Sequence, residues 1–176
     1  MLKLLYFSFK ITTYLRLTEY YWSILLSKDL NFFKEYVEHS FTRTREALEG
    51  VTDEELNWKP VAQMNNINNI LLHTARISLI LLPQVLEGTT TGVWSDEYEK
   101  KEHTKEELLK DLEKGQRKVL SLLDGMKDVD FDLEIPLWGG VERRKNGVYM
   151  LVSEIDWHGG QIALIRGAYK RTKNEM

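Results

Sequence analysis

The chain has 176 residues, 43% of them hydrophobic, enough for one domain with a real core. Its net charge is −3, so no basic excess points to a nucleic-acid partner. It contains no cysteine, which removes disulfides, thiol nucleophiles and cysteine metal sites together and leaves His, Asp and Glu as the groups able to hold a metal.

The first residues, MLKLLYFSFKITTYLRL, are apolar enough to suggest a secretory leader, but Lys10 and Arg16 interrupt them and no small-residue cleavage site follows. From Phe7 to Leu17, Phe7, Phe9, Ile11, Leu15 and Leu17 alternate with Ser8, Lys10, Thr12 and Arg16, the period of a half-buried strand. We expect an N-terminal extension over 1–29 (an arm, strand then helix), one domain over 30–170 and a short tail over 171–176. No uninterrupted apolar run approaches the ~18 residues of a transmembrane helix, so the expectation is a cytoplasmic protein with no membrane partner.

Four long helices are expected. The first runs from Leu30 to Leu48, with Phe33, Val37, Phe41, Thr44 and Leu48 on one stripe and Gly50 as its stop. In VTDEELNWKP, Thr52 and Glu55 have capping-box spacing, giving a short helical turn ended by Pro60. The second long helix, Asn66 to about Leu86, is apolar almost all round and belongs in the middle of the fold; Pro83 should kink or end it. A second capping box, Thr104 and Glu107, starts the third, which carries Leu108, Leu109, Leu112, Val119, Leu122 and Leu123. The stretch DVDFDLEIPLWGGVERRKNG reads as loop with one short hairpin, on the signals of Pro136, Gly139, Gly140 and Asn146-Gly147. The fourth helix runs from about Val148 to Tyr169. The fold class is all-α, an antiparallel four-helix bundle with long connections.

The histidines are few enough to weigh singly. His39 lies ~160–200° from the apolar stripe of its helix at ~100° per residue, a surface position. His103 falls in the charged run DEYEKKEHTKEE, where a solvated loop is the ordinary reading. His73 shares its face with Asn66, Asn69, Ile70, Ile77 and Ile80, on a helix with little solvent face, so it needs either a bonded neighbour or a metal.

In SEIDWHGG, Glu154 and His158 are the two ionisable groups on a stripe with Leu151, Ile155, Ile162 and Ile165, while Asp156 points away. A surface i,i+4 pair contributes only ~0.2–0.5 kcal/mol, a poor reason to put a carboxylate on a core stripe, whereas a metal would compensate both groups. Gly159 and Gly160 each cost about 0.5–1 kcal/mol in mid-helix relative to alanine. Something must come close there, either a tightly packed helix or a ligand.

The stretches LEGVTDEELNWKP, NNINNILLHTA and EIDWHGGQIALIRG, in that order, resemble the DinB/YfiT-like superfamily of four-helix-bundle metalloproteins over roughly residues 30 to 170. The usual pattern of that superfamily is a histidine closing an N-x-I-x-x-L-L-x-H run in the second helix and H-x-x-x-H-x-G-Q in the last. Carried over position by position, the resemblance places metal ligands at His73, at His158 and, where the family has its remaining histidine, at Glu154. The family is associated with zinc or nickel, while two histidines and one carboxylate also suit iron(II) or manganese. Three protein ligands leave a position for water or substrate, the pattern of a working site. The alternative is a buried Glu-His-His cluster held by hydrogen bonds alone.

The resemblance implies a metal-dependent enzyme acting on small molecules, either thiol S-transferase-like with a low-molecular-weight thiol or hydrolase-like on amide-like substrates. A second reading is a non-catalytic metal-binding or stress-response protein working as a homodimer, with the apolar N-terminal arm as the contact. Trp138, Trp157, Arg143 and Arg144 are candidates to line or rim a pocket, against the ordinary readings of packing aromatics and solvated arginines.

Overall fold

The computed structural model describes residues 28–174. The strand-like alternation of Phe7–Leu17, and the arm to which it belongs, lie outside the described residues. Helix α1, Lys28–Leu48, buries its whole predicted stripe of Phe33, Val37, Phe41, Thr44 and Leu48, while His39 on the opposite side is exposed. Thr52 caps the short α2, Asp53–Asn57, through the expected reciprocal box: its hydroxyl accepts from the Glu55 amide (3.2 Å) and Glu55 accepts from the Thr52 amide (2.8 Å). Glu55 is buried and takes a further hydrogen bond from Arg166 (3.1 Å).

Helix α3 spans Ile67–Glu87. Pro83, expected to kink or end this helix, does not end it. Residues Ile77–Leu81 form a π turn in which the Leu82 amide reaches back to the Ile77 carbonyl, and Pro83 falls in the first turn of the renewed α-helical stretch Leu82–Glu87. A missing N–H is tolerated in a first turn, which is why the chain stays helical. By length and average composition α3 is apolar enough to cross a membrane, yet 67% of its most apolar window is buried within the protein, as in the core helix of a soluble domain.

Helix α4, Lys105–Asp124, starts at the Thr104–Glu107 box and buries Leu108, Leu112, Val119 and Leu123. Gly115 lets it press on the π turn of α3: a Cβ there would lie 2.6 Å from the carbonyl carbon of Ser78. A 3-10 turn at Asp128–Asp132 leads into the hairpin of β1, Glu134–Leu137, and β2, Gly140–Arg143, with Leu137 opposite Gly140. The two residues between, Trp138 and Gly139, have φ of 49° and 79°, the positive values a tight primed turn requires.

Helix α5, Arg144–Asn174, is longer at both ends than the predicted Val148–Tyr169. Asn146-Gly147, read as a loop signal, lies inside its first turns. A Cβ on Gly147 would sit 2.7 Å from Leu137 Cδ1 and 3.0 Å from Val85 Cγ1, so the glycine lets the hairpin and α3 pack close to α5 rather than breaking it. The fold is all-α, as expected. The four long helical segments pack around one hydrophobic core, α1 and α3 both against α5 and α4 against α3.

Candidate metal centre

His73 from α3 and Glu154 and His158 from α5 meet, each offering one ligand atom, and these atoms all lie within 4.8 Å of one another. Glu154 and His158 are one helical turn apart and so share a side of α5. His73 Nε2 is 3.1 Å from Glu154 Oε1, and His158 Nε2 is 3.8 Å from the same oxygen. The two imidazole rings meet edge to face with centroids 5.3 Å apart. His158 is the most enclosed, its side chain 14% exposed, against 34% for His73 and 37% for Glu154.

The other nitrogen of each ring is engaged. His73 Nδ1 lies 2.5 Å from Glu99 Oε1, and the second Glu99 oxygen accepts from the Arg76 guanidinium (2.9 Å). Arg76 also donates to the Ser95 carbonyl (2.7 Å), tying the loop that carries Glu99 to α3. His158 Nδ1 is 2.9 Å from Gln161 Oε1. Partners of this kind set ring orientation and leave Nε2 of both histidines for the shared centre.

Electrostatically the centre draws positive charge. The imidazole of His158, 3.8 Å away, and that of His73, in hydrogen-bond contact at 3.1 Å, hold the Glu154 carboxyl down at about 2. The pKa of His73 is raised by its hydrogen bond to Glu154, against the opposing effect of burial, and by its second hydrogen bond, to Glu99. His158 Nε2 is buried with no hydrogen-bond partner, a state that costs free energy unless something fills it. Two imidazole nitrogens and one carboxylate oxygen are a donor set for divalent first-row metals, so the residues present fit such an ion.

The other sequence-singled residues stand apart from this group. His39 is exposed on α1. His103, expected to be solvated, is half-buried: its ring lies against Tyr98 (centroids 4.4 Å) and its Nε2 bonds the Tyr98 carbonyl (2.9 Å). Asp156 turns away as expected and pairs with Arg43 (3.0 Å). The glycine pair divides: Gly159 lies against Thr44 of α1, whereas a Cβ on Gly160 would meet nothing within 4 Å. Of the four pocket candidates, Trp157 lines a cavity next to Gln161. Trp138 sits in the hairpin turn, Arg143 pairs with Asp132 (3.6 Å) and Arg144 begins α5.

Sequence reasoning missed Glu99, Arg76 and the role of Gln161. Gln161 stands in the quoted H-x-G-Q motif and was within reach; Glu99 is one acid among several in DEYEKKEH, with no local signal to single it out.

The solved structure of a conserved protein from Enterococcus faecalis has a similar fold, with a TM-score of 0.60 and 20% identity, covering 78% of this chain and 95% of that one. Among functionally curated proteins none matches. The sequence pattern of the DinB superfamily matches residues 36–162, a span that contains His73, Glu154 and His158. On that match over most of its length, the chain belongs to the DinB superfamily.

Proposed function

We propose that His73, Glu154 and His158 bind one divalent metal ion and that the protein is a metal-dependent enzyme acting on small molecules, thiol S-transferase-like or hydrolase-like. The observation that carries this reading is the buried, unpaired Nε2 of His158, placed beside His73 Nε2 and Glu154 Oε1 while both Nδ1 atoms are tied elsewhere. A divalent ion supplies Lewis acidity that brings the pKa of a thiol or a water toward neutrality. The side chains of the protein do the positioning: Glu99 and Gln161 orient the imidazoles, Glu154 supplies negative charge, and α3 and α5 set the spacing. Two imidazoles suit zinc or nickel, and the carboxylate also suits iron or manganese. A cytoplasmic location, a low-molecular-weight thiol as co-substrate and a homodimeric state belong to the same proposal.

A second reading rests on His73, whose two nitrogens already face Glu99 and Glu154, so that a protonated ring closes much of the cluster without an ion. Metal analysis of the native protein separates the two. The expected result is about one divalent ion per chain, with stability raised by about 2.7 kcal/mol at a hundredfold excess over Kd. No metal, and no thermal shift with zinc, nickel or manganese, refutes metal binding. Turnover of an electrophile with several low-molecular-weight thiols, with and without metal, distinguishes an enzyme from a metal-binding dimer.

A further inference from the structure

We infer that the cavity beside the cluster holds the flat, uncharged apolar body of the substrate, and so selects neutral aromatic small molecules; this rests on the cluster being the reaction site. The cavity, about 370 Å³, is lined by residues just before and within α3 and by the middle of α5. Its floor is Ile70 and Ile165, 4% and 3% exposed, and its rim is Met64, Trp157 and Leu164, 41%, 68% and 63% exposed. Large apolar side chains left in water around a concave apolar floor are the mark of a surface that a ligand covers.

The lining contains no charged side chain; its polar groups are the carboxamides of Asn65 and Gln161. A charged body would lose water there without gaining a counter-charge, so the ligand is neutral. The exposed indole of Trp157 offers a face for a flat ring. The volume is near the lower end for small-molecule pockets, which fits one ring system better than an extended chain.

Two residues connect the cavity to the cluster. Gln161 lines it and bonds His158 Nδ1. Ile70 lies one turn before His73 on α3, about 4.5 Å along the axis at 1.5 Å per residue. A second copy of the chain is the other occupant for an apolar rim, but a recessed floor of Ile70 and Ile165 beside Gln161, which bonds His158, favours a small molecule.

The test uses the full-length protein and three probes of one shape, 2-naphthol, 2-naphthalenesulfonate and 2-naphthylmethylammonium, titrated by calorimetry. Naphthol should bind at least tenfold tighter than either charged probe. Leu164→Glu and Trp157→Ala, both at exposed positions, should each weaken it tenfold or more, and Val129→Glu, exposed elsewhere, should not change it. Equal binding of the three probes, or no effect of either rim variant, overturns the proposal. So does a Leu164→Glu variant that turns a dimer into a monomer with naphthol binding intact, which assigns the surface to a second copy.

On zinc-loaded protein, 2-naphthohydroxamate should bind at least tenfold tighter than acetohydroxamate, and Leu164→Glu should remove that advantage. No advantage while naphthol still binds shows that the cavity does not serve the cluster. Zinc titration run alongside reports on the metal independently: failure to bind zinc with the naphthol pattern intact refutes the metal reading and leaves the cavity's selectivity standing.

Discussion

Alanine at Gly159 and at Gly160 should move stability in opposite directions, although the two glycines are neighbours in one helix. Each replacement gains about 0.5–1 kcal/mol of helix propensity. At Gly160 the new Cβ meets nothing within 4 Å, so the gain is kept and the melting temperature rises by about 1–4 °C for a chain of this size. At Gly159 the Cβ would lie 2.9 Å from Thr44 Oγ1 and 3.2 and 3.3 Å from Thr44 Cα and N. Thr44 has nowhere to go. It is fully buried, and its one hydroxyl hydrogen is shared between the carbonyls of Ser40 (2.9 Å) and Ile155 (3.1 Å), so turning the side chain loses that bonding while its backbone atoms stay too near.

Relief requires α1 and α5 to separate locally, and overpacking of this kind costs about 1–3 kcal/mol. Propensity cancels between the two variants, so their difference isolates the contact: Gly160→Ala should be more stable than Gly159→Ala by about 1–3 kcal/mol. Urea denaturation of the metal-free proteins, with thermal melts as a check, measures it. Equal stabilities would show that α1 and α5 do not meet at Thr44 as described.

In zinc titrations, His73→Ala and His158→Ala should abolish binding, while His39→Ala and His103→Ala leave it unchanged; equal effects from all four contradict the geometry. Glu154→Gln should weaken binding with the helix still folded, whereas Glu154→His should retain zinc and nickel and lose preference for manganese, because imidazole is the softer donor. Glu99→Gln should lower zinc affinity by about 10–100-fold, the usual effect of a partner that orients a ligand, and an unchanged affinity removes Glu99 from the centre. Burial pushes the Glu55 carboxyl up, but hydrogen bonds from the Thr52 amide and Arg166 outweigh it and hold the pKa below its ordinary 4.5. A depressed folded pKa contributes stability that is present above the unfolded value and lost as pH falls through the folded one. The stability advantage of the wild type over Glu55→Gln should therefore be constant near neutrality and shrink below about pH 4.5; a pH-independent gap contradicts the pairing.

Features closed by groups within a turn or two of one another are legible in the residue order alone. Thr52 and Glu55, and Thr104 and Glu107, cap their helices because both partners of each box lie three residues apart. The stripe from Phe33 to Leu48 is buried and His39 exposed because a helical period alone separates their faces. Glu154 and His158 share a side of α5 for the same reason; that His73 joins them came from motif resemblance, since no local rule links α3 to α5.

The remaining features depend on contacts between segments distant in the chain. Asn146-Gly147 carries a turn signal, but Leu137 and Val85 pressing on Gly147 make it a close-packed part of a helix. Pro83 is kept within α3 by the π turn that precedes it. Gly159 and Gly160 are identical as sequence and differ because Thr44, far away in the chain, stands beside one and not the other. Glu99 is distinguished from the other acids of its run by where Arg76 and His73 end up. Caps and helical faces depend on separations of three or four residues, which a sequence displays, whereas packing and ligand geometry depend on which distant surfaces meet, which is settled by burying the whole core at once.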